Sequence, residues 1–169
     1  LFTKKMRGSI LYAGVLLNRF RKVTIPYPGG DAIGTRALST HFHALEALGV
    51  SIEEREHYIA MDGTHMRAAD IILDEPSVTA TENTILAAVC IPGKTIIRIA
   101  AGEPHVQELI LMLNAMGARI RWSNLFQIEI IGVTTLHGTT YRVHADELEV
   151  SSLAVLAAAT RSSLTLENI

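Results

Sequence analysis

Apolar residues along the chain alternate between helical and strand-like spacing. Over residues 4–20 they recur every three or four positions, which predicts an amphipathic helix, and residues 22–27 then predict a strand. The helical spacing returns over residues 38–48 and stops at Gly49, a residue type that readily adopts the left-handed conformation at a helix end. The first part of the chain is therefore predicted to contain a helix, a strand and a second helix.

The same succession of patterns continues to the end of the chain. The runs VSIEE and HYIAM predict a hairpin, and residues 69–73 predict a short strand. Residues 78–91 are apolar and Ala-rich enough for a buried helix, with a strand over 95–99. There follow a helix over 104–116, the β-rich runs ARIRW, FQIEII and YRVHAD, and a helix over 148–160.

Two pairs of equivalent positions indicate an internal duplication. The helix ends ALEALG and MLNAMG place Gly49 and Gly117 68 residues apart, and Asp74 and Asp146, each before an Ala-rich helix, lie 72 apart. A repeat of roughly 70 residues is too long for a solenoid. A dinucleotide-binding fold is also excluded, because no GxGxxG motif follows a strand and opens a helix. We expect an α/β (α+β) fold of repeated βαβαββ-like units that pack helices against sheets.

Composition narrows the class of protein. The 169 residues include 49% hydrophobic and 19% charged side chains, which suits a packed core. The net charge is -2 with scattered Lys and Arg, so we expect no nucleic-acid partner, and no apolar run is long enough to cross a membrane. The single cysteine, Cys90, fits a reducing cytoplasm, where we place the protein. The first residue is Leu1, which suggests a piece of a longer protein.

The segment PGGDAIGTR is the first candidate for chemistry. Its glycines interrupt both periodicities and predict a loop, and loops often carry function. Asp31 in this loop is equally an ordinary turn residue, since Asp side chains bond to nearby backbone. Arg36 is either a solvated residue at a helix start or a bidentate ligand for phosphate or carboxylate.

Other polar residues allow two interpretations each. Arg7 beside Gly8 is either a surface residue or a ligand contact, and Ser77 is either a helix cap or part of a phosphate site. Asp146 is explained by the dipole of the helix that it precedes. His41 and His43 are two positions apart and face different sides of a helix, so we expect no metal and no cofactor.

Taken together, these motifs resemble one enzyme family. MRGSI, PGGDAIGTR and HALEALG stand in the order and spacing found in enolpyruvyl transferases of the UDP-N-acetylglucosamine 1-carboxyvinyltransferase type, with 24 residues between Arg7 and Asp31. The similarity continues through LDEPSVTAT, AAGEPHV, LMLNAMGARI and YRVHADELE, so it covers essentially the whole chain. The individual motifs are moderately specific, and their joint order is highly specific.

The resemblance implies a reaction and a set of roles. The family moves the enolpyruvyl group of phosphoenolpyruvate to the 3-hydroxyl of UDP-N-acetylglucosamine, the committed step of peptidoglycan synthesis, and this requires a general acid and strong anion binding. Asp31 matches the loop position of that acid, where most members have a cysteine. The matched substrate-binding positions are Arg7 and Arg36 for phosphoenolpyruvate, Ser77 and Val78 for the nucleotide sugar, His41 lining the site, and Asp146 as a further candidate.

The chain also departs from the family pattern. Fosfomycin alkylates the family's loop thiol, so Asp31 predicts resistance to it. Glu75 replaces a common lysine, and Pro76 and Ala37 also differ, which keeps another acceptor, such as shikimate 3-phosphate, as an alternative.

The resemblance further implies that the chain is incomplete. Residues 1–144 match the loop-bearing domain, and residues 145–169 match the start of the return into a second domain that is otherwise absent. We expect this chain alone to be inactive. The apolar residues Leu153, Val155 and Leu156 of the last helix then lack their normal partner and would favour self-association. A non-catalytic ligand-binding or assembly module of the same fold is the alternative, and the flanking coding sequence would distinguish the two.

Overall fold

The computed structural model describes residues 2–30, 37–167 and 169. Contacts between residues divide the chain into two compact units, Leu1–Thr139 and Thr140–Ile169. The described part of the first unit contains four α-helices and two β-sheets, and the second contains one α-helix. This mixed architecture confirms the predicted α/β (α+β) fold class.

The helices of the first unit lie close to their predicted positions. They are α1 (Tyr12–Phe20), α2 (Ser39–Ala47), α3 (Val78–Ala88) and α4 (Pro104–Ala115). The prediction of one helix over 4–20 is right only for its second half, because Phe2–Lys5 and Arg7–Leu11 are 3-10 helical segments. The Ser9 hydroxyl lies 2.9 Å from the carbonyl of Thr3 and 2.7 Å from that of Met6, and such local bonds compete with α-helical pairing.

The first sheet contains the predicted hairpin. Its strands are β1 (Lys22–Pro26), β2 (Ser51–Glu54) and β3 (Tyr58–Asp62), in the order β1-β3-β2. Both pairings are antiparallel, with Ile25 opposite Ile59 and Ile52 opposite Met61. The side chains that face the helices on this sheet are apolar, as the alternating pattern predicts.

The second sheet combines parallel and antiparallel pairs. Its strands are β4 (Asp70–Ile72), β5 (Lys94–Arg98), β6 (Arg119–Asn124) and β7 (Gln127–Ile131), in the order β4-β5-β7-β6. β4 and β5 are parallel, because helix α3 crosses over between them, and the other two pairs are antiparallel.

Helix α3 lies at the centre of the first unit and confirms the prediction of a buried helix there. It contacts α1, α2 and α4, and seven of its residues are buried. Small side chains allow α1 to approach it closely. A Cβ atom added at Gly14 would lie 2.7 Å from the Asn83 side-chain oxygen and 3.0 Å from the Ala87 nitrogen.

The predicted duplication is visible in the backbone. Helices α2 and α4 both end at a left-handed glycine, Gly49 with φ +90° and Gly117 with φ +97°. In each case the nitrogen of the next residue lies 3.0 Å from a carbonyl of the last helical turn, Val50 from Leu45 and Ala118 from Leu113. The order β1-β3-β2 in the first sheet also corresponds to β5-β7-β6 in the second.

The β-rich run YRVHAD does not form the strand that its pattern predicts. In the duplicated arrangement it corresponds to β4, which pairs in parallel with β5, the first strand after the next helix. The described residues that follow the last helix contain no strand to take the place of β5. Within the part of the chain that the structure describes, residues 141–146 therefore form no β-ladder, and a β-rich sequence pattern alone does not create one.

The second unit consists mainly of α5 (Glu147–Thr160), which confirms the last predicted helix. All of its residues are at least partly exposed. The interpretation of residues 145–169 as the start of another domain stays a prediction. Among the described residues, no helix is both long and apolar enough to span a membrane.

Candidate functional site

A surface cavity lies where the loop PGGDAIGTR leaves β1 and enters α2. Its volume is about 370 Å³, and it is bounded by the first 3-10 segments, the end of β1, the start of α2 and the end of β2. The residues that line it are Arg7, Tyr27, Pro28, Ala37, Leu38, Ser39, Phe42 and Glu54.

The cavity adjoins both described ends of the loop. Pro28 and Ala37 line it, and the segment between them begins with two glycines. Asp31 and Arg36, the predicted acid and anion ligand, lie outside the described residues. The described geometry therefore concerns the residues that surround this loop.

Arg7 connects the first helical segments with the exit of the loop. Its Nη2 atom donates a hydrogen bond to the Ala37 carbonyl at 3.1 Å, and the side chain is partly buried. The guanidinium thus stands at the wall of the cavity, beside the segment that leads into α2.

Tyr27 and Glu54 form a polar pair in the cavity wall that sequence reasoning missed. The Tyr27 hydroxyl donates to Oε2 of Glu54 at 2.9 Å. Desolvation raises the pKa of Tyr27, and the Glu54 carboxylate adds to this through the hydrogen bond and its negative charge. The only sequence signal was the position of Tyr27 directly before the PGG turn.

His41 is buried on the face of α2 that meets α3, with 4% of its surface exposed. Its Nδ1 lies 3.2 Å from Nδ2 of Asn83, and its Nε2 lies 3.2 Å from Oγ1 of Thr79. Burial, helped by the positive charge of Arg7, lowers the pKa of His41 to about 4. The imidazole is therefore neutral at physiological pH.

His43 points away from His41, as its spacing predicts. Its Nδ1 lies 2.7 Å from Oδ2 of Asp74, and both side chains are exposed. The two histidines therefore do not converge on one point. No group of three or more potential metal ligands occurs within the described parts of the chain.

Ser77, Val78 and Thr79 form the start of α3 and are all partly buried. The Ser77 hydroxyl accepts a hydrogen bond from the Ala80 nitrogen at 3.4 Å, so it caps the helix. Thr79 contacts His41 from this turn. Sequence reasoning identified Ser77 and Val78 but missed Asn83, whose only signal was an amide side chain in an apolar helix.

Asp146 caps α5 in the second unit. Its Oδ1 accepts hydrogen bonds from the nitrogens of Leu148 at 2.8 Å and Glu149 at 3.3 Å. The interpretation of Asp146 as a residue at a helix start therefore agrees with its geometry.

Two of the predicted residues, Arg7 and His41, lie within electrostatic reach of each other in the first unit, and the start of α3 adjoins His41. Arg7 is near enough for its charge to act on His41, and His41 reaches Thr79, two residues after Ser77. A fixed cation, hydroxyl groups and a neutral imidazole are suited to an anionic ligand rich in hydrogen-bonding groups.

Curated relatives match almost the whole chain. UDP-N-acetylglucosamine 1-carboxyvinyltransferase from Treponema pallidum is 50% identical over 98% of this chain and 39% of its own length. The proteins of the same name from Treponema denticola and Borreliella burgdorferi are 49% and 46% identical, again over 98% of this chain. The chain thus spans somewhat more than a third of the length of these relatives.

Solved structures share the fold at much lower identity. The enolpyruvyl transferase NikO from Streptomyces tendae aligns with a TM-score of 0.71 at 16% identity, over 88% of this chain and 36% of that one. EPSP synthase from Acinetobacter baumannii aligns with a TM-score of 0.67 at 22% identity, over 89% and 34%. These similarities support the fold alone.

The sequence profile of one family matches residues 2–169, which is nearly the complete chain. Its members share the fold seen here, and the resemblance found in the sequence motifs leads to the same group of enzymes. The chain therefore belongs to the family described as EPSP synthase (3-phosphoshikimate 1-carboxyvinyltransferase), which confirms the predicted relation to enolpyruvyl transferases.

Proposed function

We propose that this chain is part of an enzyme that transfers the enolpyruvyl group of phosphoenolpyruvate to the 3-hydroxyl of UDP-N-acetylglucosamine, releasing phosphate. The observation that carries the proposal is 50% identity, over 98% of the chain, to a relative named for that activity. The enzyme would act in the cytoplasm, in the committed step of peptidoglycan synthesis. Cell shape and division would depend on it for that reason.

Asp31 would act as the general acid of this reaction. A proton is added to the methylene carbon of phosphoenolpyruvate, and the sugar oxygen bonds to the neighbouring carbon. Phosphate then leaves, and a proton is lost from the methyl group to restore the double bond. A carboxyl group can deliver the first proton if its surroundings keep it protonated.

Arg7 and Arg36 would bind the phosphate and carboxylate of phosphoenolpyruvate, since guanidinium groups pair with both in bidentate fashion. The place of Arg7 in the cavity wall beside Ala37 supports this role. Ser77 and Val78 would bind the nucleotide sugar, and His41 would line the same site. Asp146 is a further candidate for substrate binding. No cofactor is required by this chemistry.

The acceptor is the substrate that needs a direct test, because the family profile is named for 3-phosphoshikimate and Glu75 and Pro76 are exposed just before α3. Phosphate release by the full-length protein, measured with phosphoenolpyruvate and each acceptor in turn, tests it. We expect release with UDP-N-acetylglucosamine. Release with shikimate 3-phosphate alone would overturn the proposed acceptor, and release with neither would favour the non-catalytic module.

Exchanges at position 31 test the proposed acid. Asp31→Asn should lower kcat by at least 100-fold, because the amide cannot deliver a proton, whereas Asp31→Cys should retain activity. The wild-type enzyme should resist fosfomycin, and Asp31→Cys should be inactivated in a time-dependent manner. A covalent fosfomycin adduct at Asp31 would contradict this assignment.

The activity would require the second domain, since the chain spans only 39% of the relative's length. In this chain alone, the exposed residues Leu153, Val155 and Leu156 of α5 would drive self-association, because each leaves at least 41% of its surface in water. Light scattering should show a mass that rises with concentration, and Leu153→Glu with Leu156→Glu should abolish the rise. The control Ser152→Glu adds charge to the same helix without removing apolar surface.

A further inference from the structure

A chain of hydrogen bonds runs from α1 through α3 to α2 and back to the start of α3. It begins at the Gly14 backbone nitrogen, 2.8 Å from Oδ1 of Asn83. A backbone N–H can only donate, so the Asn83 oxygen must face Gly14. The Asn83 amino group consequently faces Nδ1 of His41, at 3.2 Å.

This orientation determines where His41 carries its proton. An amide NH₂ group can only donate, so Nδ1 of the neutral imidazole has to accept. The ring proton is then on Nε2, which donates to Oγ1 of Thr79 at 3.2 Å. The three bonds therefore all point the same way, from Gly14 towards Thr79.

Thr79 is the end of this series of hydrogen bonds and its most exposed member. A hydroxyl that accepts a bond from His41 still has its own proton to donate. Thr79 is partly buried, whereas Asn83 is 1% and His41 4% exposed. Both ring nitrogens of His41 are also engaged by Asn83 and Thr79. A ligand at this place thus meets the Thr79 hydroxyl before it meets His41.

We propose that Asn83 is a positioning residue that holds His41 in the Nε2–H tautomer, so that the Thr79 hydroxyl donates a hydrogen bond to the bound nucleotide sugar. This inference rests on the proposed function for the identity of the ligand. Thr79 is then a specificity-determining contact beside Ser77 and Val78, directed at an acceptor oxygen of the ligand.

The opposite tautomer of His41 would reverse the direction of the last hydrogen bond in the network. If Nδ1 carried the proton, Nε2 would accept, and Thr79 would have to donate into the ring. The Thr79 hydroxyl could then only accept from the ligand. The orientation of one buried amide therefore decides whether this turn offers a donor or an acceptor.

Nitrogen chemical shifts of His41 in the full-length protein test the network without a ligand. The wild type should show the Nε2–H tautomer at pH 7. In Asn83→Asp, one carboxylate oxygen can still accept from Gly14, and the other faces Nδ1, so a proton should appear on Nδ1. The matched control is Asn114→Asp, because the Asn114 amide bonds only to the backbone of Ile120 in the described contacts, at 2.8 and 2.9 Å.

The control should leave the His41 signals unchanged. A wild-type protein with the proton on Nδ1, or an Asn83→Asp variant with unaltered His41 shifts, would overturn the assignment to Asn83.

Binding of UDP-N-acetylglucosamine by calorimetry tests the Thr79 contact. Thr79→Val removes the hydroxyl at nearly constant shape and should weaken binding roughly 3- to 10-fold, the usual effect of one neutral hydrogen bond. Thr79→Ser keeps the hydroxyl and should bind within about twofold of wild type. The KM for the sugar should rise more than kcat falls.

Two failures can be told apart. If the wild type binds the sugar and Thr79→Val binds it equally well, the Thr79 contact is wrong. If the wild type binds no UDP-N-acetylglucosamine, the proposed function is wrong, and the Thr79 contact to this ligand falls with it, while the His41 shifts still decide the role of Asn83.

Discussion

At the residue scale, the charge state of His41 follows from where it is packed. The ring lies between α2 and α3 with both nitrogens bonded to neutral groups, and the nearby Arg7 is a cation. Each of these surroundings favours the neutral imidazole over the imidazolium. The buried network can therefore keep one hydrogen-bond direction throughout the neutral pH range.

His41 should make stability depend on pH in a defined window. Its folded pKa of about 4 lies below the value of 6.5 in an unfolded chain, so between these values the unfolded state binds more protons. The contribution of His41 to the free energy of unfolding should be fully present above pH 6.5. It should fall by up to about 3 kcal/mol as the pH decreases to 4. Urea unfolding at a series of pH values measures this.

Two variants show whether His41 causes that slope. His41→Gln should be less stable at neutral pH and should lose the His41 contribution between pH 6.5 and 4. Thr84→Val removes a buried hydroxyl bond to the Ala80 carbonyl without removing a titratable group, so its stability should fall by a similar amount at every pH. An unchanged slope in His41→Gln would contradict the assignment.

Sequence analysis found the site residues that stand in local motifs and missed those whose partners are distant in sequence. Arg7, Asp31 and Ser77 stand in local motifs that can be identified without knowledge of the fold. Asn83 derives its role from His41, which is 42 positions away, and Tyr27 pairs with Glu54 across 27 positions. Such partners are set by the packing of helices and strands, which short motifs do not specify.

At the element scale, the contact between α1 and α3 depends on the absence of a side chain at Gly14. The backbone of α1 comes close enough to α3 for the Gly14 nitrogen to donate to Asn83, and Ala87 lies on the same side. A larger residue would force the helices apart and would break the first bond of the network.

Gly14→Ala should therefore be destabilising, by about 1 to 3 kcal/mol, although alanine is the better helix former. The cause is overpacking against Asn83 and Ala87, which are main-chain and buried groups that cannot move aside easily. Gly8→Ala is the matched control, since nothing lies within 4 Å of a Cβ there, and it should change stability little. Thermal unfolding of both variants compares them, and equal melting temperatures would contradict close packing at Gly14.

Asp146 should stabilise the start of α5 by capping it. Asp146→Ala should cost about 1 kcal/mol of local stability, because the nitrogens of Leu148 and Glu149 lose their acceptor. Amide hydrogen exchange at these two residues reports the effect. Asp146→Asn retains a capping oxygen and should exchange almost like wild type, so equally fast exchange in both variants would argue against the cap.

Among the elements, those with local signals were predicted best. The apolar run of α3 and the glycine stops of α2 and α4 are contained in the sequence itself, and so is the hairpin of β2 and β3. The first 3-10 segments and residues 141–146 were not predicted, because their conformation depends on the Ser9 contacts and on the presence or lack of a neighbouring strand.

At the scale of the whole molecule, duplication made the fold class predictable. Two offsets of about 70 residues in the sequence correspond to two helix ends with the same backbone bonds and to the matching strand orders β1-β3-β2 and β5-β7-β6. The arrangement of the proposed catalytic site was harder to predict, since its proposed acid lies outside the described residues and the relatives are much longer than this chain.

The parallel pairing of β4 with β5 joins the two repeats. The Leu73 nitrogen donates to the Arg98 carbonyl at 3.1 Å, and the Arg98 guanidinium makes two bonds of 2.8 Å to the Asp70 carboxylate. A strand of the first repeat is thus part of the sheet formed by the second. Its amides should exchange with solvent at the same free energy of opening as those of β5 and β7, and exchange in step with β1 and β3 would contradict this.

One consequence concerns how such a chain can be divided or extended. Because the first repeat contributes its last strand, β4, to the sheet of the second, the boundary that matters for cooperative unfolding lies one strand earlier than the sequence period suggests. A chain cut between α3 and β5 would separate Asp70–Ile72 from the strand that completes its ladder. Grafts, circular permutants and fragments should therefore be divided before β4, so that β4 stays in the same piece as β5, β6 and β7.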